Sequence, residues 1–292
     1  MPSYFDSIEK PDSIITAIPS GELFPDLIVN RSEKYLPHVG IYKKLVLKSN
    51  SSGELLEQIR TPGKFTANIR MSLLKLFRRT VSLVCDTEAT KKITVIKTSS
   101  FVENYGHTFK PIDKLKKQFK SMSDKDFVTL CVLLGEYDSR GQQGYMLTNI
   151  FFNWFENTFV DMDIEGPRGA GKDIELSSIF PKFKGDYPCD FVIKGEAGKV
   201  LAVGFARYDS TRGGSQSDDR TGGNSNKVSK AIEFERESSN NFKLIFLSDG
   251  PGLIHKDTWR ESCILDGQWN GNVRVSTLKT ASERITKDWL LS

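Results

Sequence analysis

No apolar run in these 292 residues approaches the ~18 needed to span a bilayer, so no membrane-spanning helix is expected within them. The opening MPSYFDSIEKPDS has neither a basic n-region nor an apolar h-region, so no secretory signal peptide is expected there. Cysteine is scarce. Cys85, Cys131, Cys189 and Cys263 lie far apart, none forms a CxxC, and no histidine stands at zinc-ligand spacing from any of them. A zinc ribbon and a disulfide scaffold are thereby excluded, and reduced thiols in a cytoplasmic protein are expected. The histidines, His38, His107 and His255, are isolated and form no nucleophile–base pattern. There is no internal repeat and no low-complexity linker.

Charge of one sign is not in great excess. The net charge is +4, from 41 lysines and arginines against 37 acids, too mild to imply a polyanionic partner by itself. Its distribution says more. Lys110, Lys114, Lys116, Lys117 and Lys120 crowd one segment, and Arg70, Lys75, Arg78 and Arg79 another. Such clusters are either solvated helix faces or phosphate contacts.

Residues 1–60 read as irregular, with strand-like runs at Leu27–Val29 and Ile41–Leu47. Helical spacing of Ile69, Leu73, Leu76, Phe77, Val81 and Val84 predicts a helix over 66–84, and Ile93–Ile96 reads as a strand. A basic helix is expected around 114–120. Ser123, with Asp126 three residues on, has the form of a helix N-cap. A second apolar helix follows Gly144, carrying Ile150, Phe151, Trp154, Phe155 and Phe159. Strands are expected at 172–180, 190–194, 199–206, 243–247 and 272–276, with helices at 226–237 and 282–291. Between the third of these strands and the next helix lies a polar, glycine-bearing stretch from Tyr208 to Asn226, far longer than the ~4–6 residues usual for such a connection.

The order from residue 145 is helix, three strands, helix, strand, which implies a mixed sheet flanked by helices. Asp190 opens one hairpin strand, and its partner reads Val203-Gly204-Phe205-Ala206-Arg207. This arrangement resembles the core of the PD-(D/E)xK nuclease superfamily, which includes most type II restriction endonucleases. The resemblance spans about 144–250 and implies an α/β fold: a restriction-endonuclease-like mixed central sheet flanked by helices, with a mostly helical N-terminal extension. The implied division is 1–125, an N-terminal region for DNA grip or dimer contact, and 126–292, the nuclease core. Asp190 matches the family's first acid, and Arg207 falls where the family has lysine. Phe205 occupies the place of the second acid, so that acid must come from elsewhere: Glu175, Asp209, Glu233 or Glu235.

The implied activity is Mg²⁺-dependent, sequence-specific cleavage of double-stranded DNA. Hard carboxylate oxygens suit Mg²⁺, and a metal lowers the pKa of the attacking water. Asp190 and Glu175 are the expected metal ligands, and Asp190, Arg207, Glu175 and Glu233 the expected catalytic set. DNA contacts are expected from Arg168, Lys172, Arg212, Gln216, Asp219, Arg220, Asn224, Ser225, Asn226 and Lys227, whose side chains suit base edges and phosphates. Gly223-Asn224-Ser225 is similar to the Gly-Asn-Ala helix start of enzymes that cut AATT-containing sites, and Asp219-Arg220 to the Asp-Arg pair of the CCGG-cutting branch. The resemblance further implies a homodimer on a palindromic site and a cognate DNA methyltransferase as functional partner.

A competing pattern runs from Gly166 to Lys172, which fits the GxxxxGK part of a nucleotide-binding P-loop. Asp173 stands where that motif has Ser or Thr, and a P-loop requires a strand before it and a helix after. A nucleotide hydrolase is thus one alternative, with Leu244–Asp249 as its Walker B strand. A non-catalytic DNA-binding protein on a degenerate nuclease fold is another, motivated by Phe205.

Overall fold

Tyr35, Val39, Tyr42 and Val46 recur at three- and four-residue intervals and are buried along one side of a single helix, α1 (Asp26–Lys48). The strand-like runs at Leu27–Val29 and Ile41–Leu47 both lie inside it. Over such short windows β-branched residues imitate a strand, and only the longer 3.6-residue period separates the two. The computed structural model describes residues 3–136, 138, 141–210, 216–238 and 240–292, with residues 216–222 described by backbone alone. The chain divides into two units: Gly21–Ser139, and Met1–Ser20 together with Arg140–Ser292. A division at 125/126 would cut a helix whose Cys131 and Leu134 are fully buried in the first unit's core.

That unit is helical: α1, α2 (Ser52–Arg60), α3 (Ala67–Thr80), the single turn α4 (Thr87–Thr90), α5 (Thr98–Tyr105), α6 (Ile112–Lys120) and α7 (Asp124–Gly135). Thr66 caps α3 by accepting the Ile69 amide. The helix ends at Thr80, and Val84 beyond it is exposed. Ser123 and Asp126 form the expected capping box at α7. Ile93–Ile96 is a turn and not a strand, for a reason that no local pattern carries. The guanidinium of Arg60, itself buried and lying over the Phe101 ring, donates to the carbonyls of Thr90 (2.8 Å) and Ile96 and to the Thr98 hydroxyl (2.7 Å), holding 90–98 as a loop.

In the second unit, α8 (Gln142–Thr158) precedes β1 (Asp163–Glu165), β2 (Ile174–Glu175), β3 (Pro188–Cys189), β4 (Phe191–Lys194) and β5 (Val200–Tyr208). Then come α9 (Gln216–Ser238), β6 (Lys243–Asp249), α10 (Lys256–Leu265), α11 (Gln268–Gly271), β7 (Val273–Ser276), α12 (Ala281–Arg284) and α13 (Lys287–Leu291). The main sheet has the order β1-β4-β5-β6-β7: β1, β4 and β5 pair antiparallel, while β6 and β7 run parallel to β5. The first strand of the antiparallel trio is therefore Asp163–Glu165. Of the expected strand 172–180 only Ile174–Glu175 is extended, and it pairs with β3 in a separate ribbon. The expected closing helix over 282–291 is two short pieces, the second capped by Thr286.

The sheet is covered on both faces. Val203, Phe205 and Phe246 pack with Val228, Ala231 and Phe234 of α9, while Phe191, Ile193 and Ala202 pack with Phe151, Phe152 and Phe155 of α8. The N-terminal segment belongs to this unit. Phe5 is fully buried against Trp259, and the Tyr208 hydroxyl accepts the Ile18 amide at 2.8 Å and donates to the Thr16 carbonyl at 3.0 Å. Asp249, fully buried at the end of β6, accepts the amides of Thr16, Gly250 and Leu278. Those bonds give its carboxylate a structural role and remove it as a Walker B acid.

Candidate active site

Asp190 sits in the gap between β3 and β4, where the chain passes from the ribbon into the main sheet. Its amide donates to the Gly204 carbonyl (2.9 Å), and its carboxylate accepts the Ala206 amide (2.8 Å). Strand β5 thus fixes both its backbone and its side chain. Burial raises the Asp190 pKa above the ordinary carboxylate range. The Ala206 amide lowers it, nearby Asp173 raises it, and the charge of Lys227 lowers it.

Lys227 comes from α9. It immediately precedes buried Val228, and its own side chain is half-buried. Its ammonium lies 3.6 Å from the centroid of the Phe205 ring. Burial lowers its pKa, against which Asp190, Cys189 and Asp173 act to raise it. Phe205 therefore forms the floor on which Lys227 is laid in the cleft that Asp190 also lines. The Tyr187 hydroxyl donates to the Lys227 carbonyl (3.0 Å), and Tyr187 packs edge-on against Phe205, so helix, ribbon and sheet meet at this point.

Arg207 shares the cleft but is already paired. Its Nε and Nη2 each lie 2.7 Å from Oδ1 of buried Asp209. Burial raises the Asp209 pKa and the arginine lowers it. A cavity of about 280 Å³ opens among Asp190, Phe205, Ala206, Arg207, Gly223, Asn224, Lys227, Phe246 and Ser248. Asn224 donates to Glu261 of α10 at 2.9 Å.

Several expected site residues are not brought here. Glu175 lies in the β2–β3 ribbon and accepts the Tyr187 amide at 3.1 Å. Glu233 is exposed and lines a separate recess with Lys182, Lys184 and Lys230. Helical geometry explains this: Lys227 and Glu233 are six residues apart, about 9 Å along the axis of α9 and turned well away from each other. Glu235 accepts the Trp269 indole at 2.7 Å, and Asp209 is held by Arg207. The acid that acts on Asp190 is instead Asp173, exposed and just ahead of β2.

Among the described residues no three His, Cys, Asp or Glu side chains converge as a metal-binding group. Of the acids, Asp190 lines the cleft and exposed Asp173 acts on it electrostatically. Mg²⁺ commonly takes one or two carboxylates and keeps several waters.

Of the expected DNA contacts, Asn224 and Lys227 line the cavity, Ser225 is half-buried and Asn226 exposed. Arg212 and the side chains of Gln216, Asp219 and Arg220 lie outside the described residues. The expected loop over 208–226 is shorter than the sequence implies, because α9 begins at Gln216. Its first buried apolar residue is Val228, so no periodicity marks the preceding turns.

The Gly166–Lys172 segment connects β1 to β2, a strand, where a P-loop needs a helix. Arg168 pairs with Glu156 and Asn153 of α8 and lies over the Phe152 ring, and Lys172 is exposed. Gly166 answers a packing demand, since a Cβ there would collide with the Asp190 carbonyl oxygen and the Phe152 ring. This glycine makes room for the Asp190 backbone.

No family model, curated protein or solved structure matches the chain. No helix among the described residues is long and apolar enough to cross a membrane.

Proposed function

We propose that the Asp190–Lys227 cleft is the active site of a Mg²⁺-dependent endonuclease acting on double-stranded DNA, of the type II restriction class. The observation that carries this reading is the position of Lys227. A helix-borne ammonium beside Asp190, seated on Phe205, restores the acid–cation pair that the strand motif itself lacks. The sheet supports the same reading: three antiparallel strands followed, across a helix, by a strand parallel to the third is the restriction-endonuclease-like order.

In this scheme Asp190, with Asp173 near it, would hold Mg²⁺, which when bound would supply an activated water and offset charge on the phosphate. Lys227 and Arg207 present positive charge to the scissile phosphate, where negative charge grows in the transition state. Arginine stays protonated, so Arg207 acts as a charge and not as a base. Asn224 offers an amide to a base edge. A two-fold dimer on a palindromic site and a partner methyltransferase that protects host DNA follow from the same reading.

The test is incubation of mixed-sequence plasmid DNA with the protein and Mg²⁺. Wild type is expected to give discrete fragments, and removing the metal with a chelator to stop cutting. Asp190→Ala is expected to lose at least about 10³-fold in rate. Glu233→Gln, altered well away from the cleft, is expected to cut within about twofold of wild type, since only an effect on the reacting charges reaches the rate. If wild type binds DNA but leaves it intact with Mg²⁺ and with Mn²⁺, the catalytic reading fails. Phe205, which removes one acid from the strand motif, then favours a DNA-binding protein without nuclease activity.

A further inference from the structure

The charge of this chain is unevenly shared. The helical unit Gly21–Ser139 carries 20 lysines and arginines against 13 acids, a net +7, whereas the α/β unit carries 21 against 24, a net −3. The part that holds the candidate active site is therefore the acidic part. A polyanion gains little long-range attraction from a net-negative unit.

Within the helical unit the excess is concentrated on α6. Ile112, Leu115 and Phe119 point into the core, and Lys114, Lys117 and Lys120 are exposed, with half-buried Lys116 between them. None of these four lysines forms an ion pair among the described residues, whereas Lys34, Arg79 and Lys91 of the same unit pair with Asp138, Glu136 and Glu88. Like charges three residues apart on a helix repel one another. The three exposed lysines span about 9 Å along the helix axis. Duplex DNA presents one phosphate per about 1.7 Å of its axis, so several phosphates face that span at once. The apolar side of α6 is wholly used in the core, which leaves nothing to insert into a lipid surface.

We infer that the lysine face of α6 is a second, sequence-independent binding surface for the phosphate backbone of duplex DNA. It supplies electrostatic affinity that the acidic α/β unit lacks. The choice of duplex DNA as the polyanion rests on the nuclease reading above.

The experiment uses the full-length chain in chelator, so that no cleavage intervenes, and a labelled mixed-sequence duplex titrated across a series of salt concentrations. Lys114→Gln/Lys117→Gln/Lys120→Gln is expected to weaken binding at least about tenfold near 0.1 M salt. It should also flatten the dependence of log affinity on log salt by about 2 to 3, at about 0.9 for each phosphate no longer neutralised. Its melting temperature is expected to stay within a few degrees of wild type, since relieved repulsion offsets the lost interaction of Lys117 and Lys120 with the helix C-terminus. The triple Lys→Arg variant, which keeps the charge, is expected to bind as wild type does. Wild-type affinity and salt slope in the Gln variant overturn the inference, as does tighter binding of wild type to phosphatidylserine vesicles than to the duplex. Failure of the nuclease reading is seen separately, as absence of cutting with Mg²⁺ while duplex binding and its loss in the Gln variant persist.

Discussion

Lys227→Met is expected to cut DNA about 10²- to 10⁴-fold more slowly than wild type at saturating DNA, with affinity for the duplex changed far less. Methionine keeps an unbranched side chain over the Phe205 ring, so packing is largely retained while the charge is lost. A rate within threefold of wild type would sink the assignment of Lys227 to the reacting centre. The same variant has a pH signature. Burial raises the Asp190 pKa and Lys227 lowers it, so removing the ammonium raises it further. A carboxyl whose folded pKa exceeds its unfolded value of about 4 contributes stability that is present below that value and is lost as pH rises through the folded pKa. Lys227→Met is therefore expected to lose more melting temperature than wild type between about pH 4 and pH 7. Asp190→Asn/Lys227→Met, which carries neither charge, is expected to recover it, because a buried pair replaced as a unit leaves no uncompensated ion. Thermal melts of the three proteins across that range, set beside single-turnover rates, separate loss of chemistry from loss of fold.

The sheet is largely legible in the sequence because its strands are buried on both faces. The runs Phe191–Ile193, Val200–Phe205 and Leu244–Leu247 are continuous in apolar residues, and such runs need no knowledge of their neighbours. The Ser123–Asp126 cap is legible for a similar reason, since all its partners lie within one turn. The site is legible only in part. Asp190 is marked by its place at the mouth of a strand, but the cation beside it is separated from it by the whole connection to α9. Read along the chain, Lys227 is a polar residue at the end of a polar stretch. Only the pairing of Phe205 with a helix crossing above it turns that lysine into a partner for Asp190. Phe205, which in the linear reading is only a missing acid, is in space the surface on which Lys227 lies. Asp173 is hidden in the same way, because in sequence it is the residue that spoils a P-loop. The turn at Ile93–Ile96 depends on Arg60, some thirty residues upstream, and no window of local pattern contains both.

Gly204→Ala is expected to be the most damaging single methyl group in the α/β unit. Gly204 pairs directly with Phe191 across β4 and β5, and the Phe191 ring lies over it. A Cβ at position 204 would stand inside the contact radius of three ring carbons of Phe191. The ring has nowhere to retreat: it is fully buried, with the rings of Phe151 and Phe152 centred 5.2 and 5.8 Å away. Overpacking of this kind costs about 3 kcal/mol, at the upper end of the usual range, because neither the central strand nor the aromatic cluster can yield. In a protein of this size that corresponds to a melting temperature about 6–12 °C lower. The effect also reaches the chemistry, since the Gly204 carbonyl accepts the Asp190 amide and Ala206, two residues on, donates to the Asp190 carboxylate. A shift of β5 away from the crowded ring displaces both anchors, so the cleavage rate of the folded fraction is expected to fall along with stability. Gly204→Ala/Phe191→Leu vacates the space the new methyl needs, and is expected to melt higher than Gly204→Ala despite the loss of an aromatic residue from the core. If the double variant is no more stable than Gly204→Ala alone, steric conflict with Phe191 is not what position 204 guards. If the double variant recovers stability and cleavage together, the glycine is the point at which core packing sets the position of Asp190.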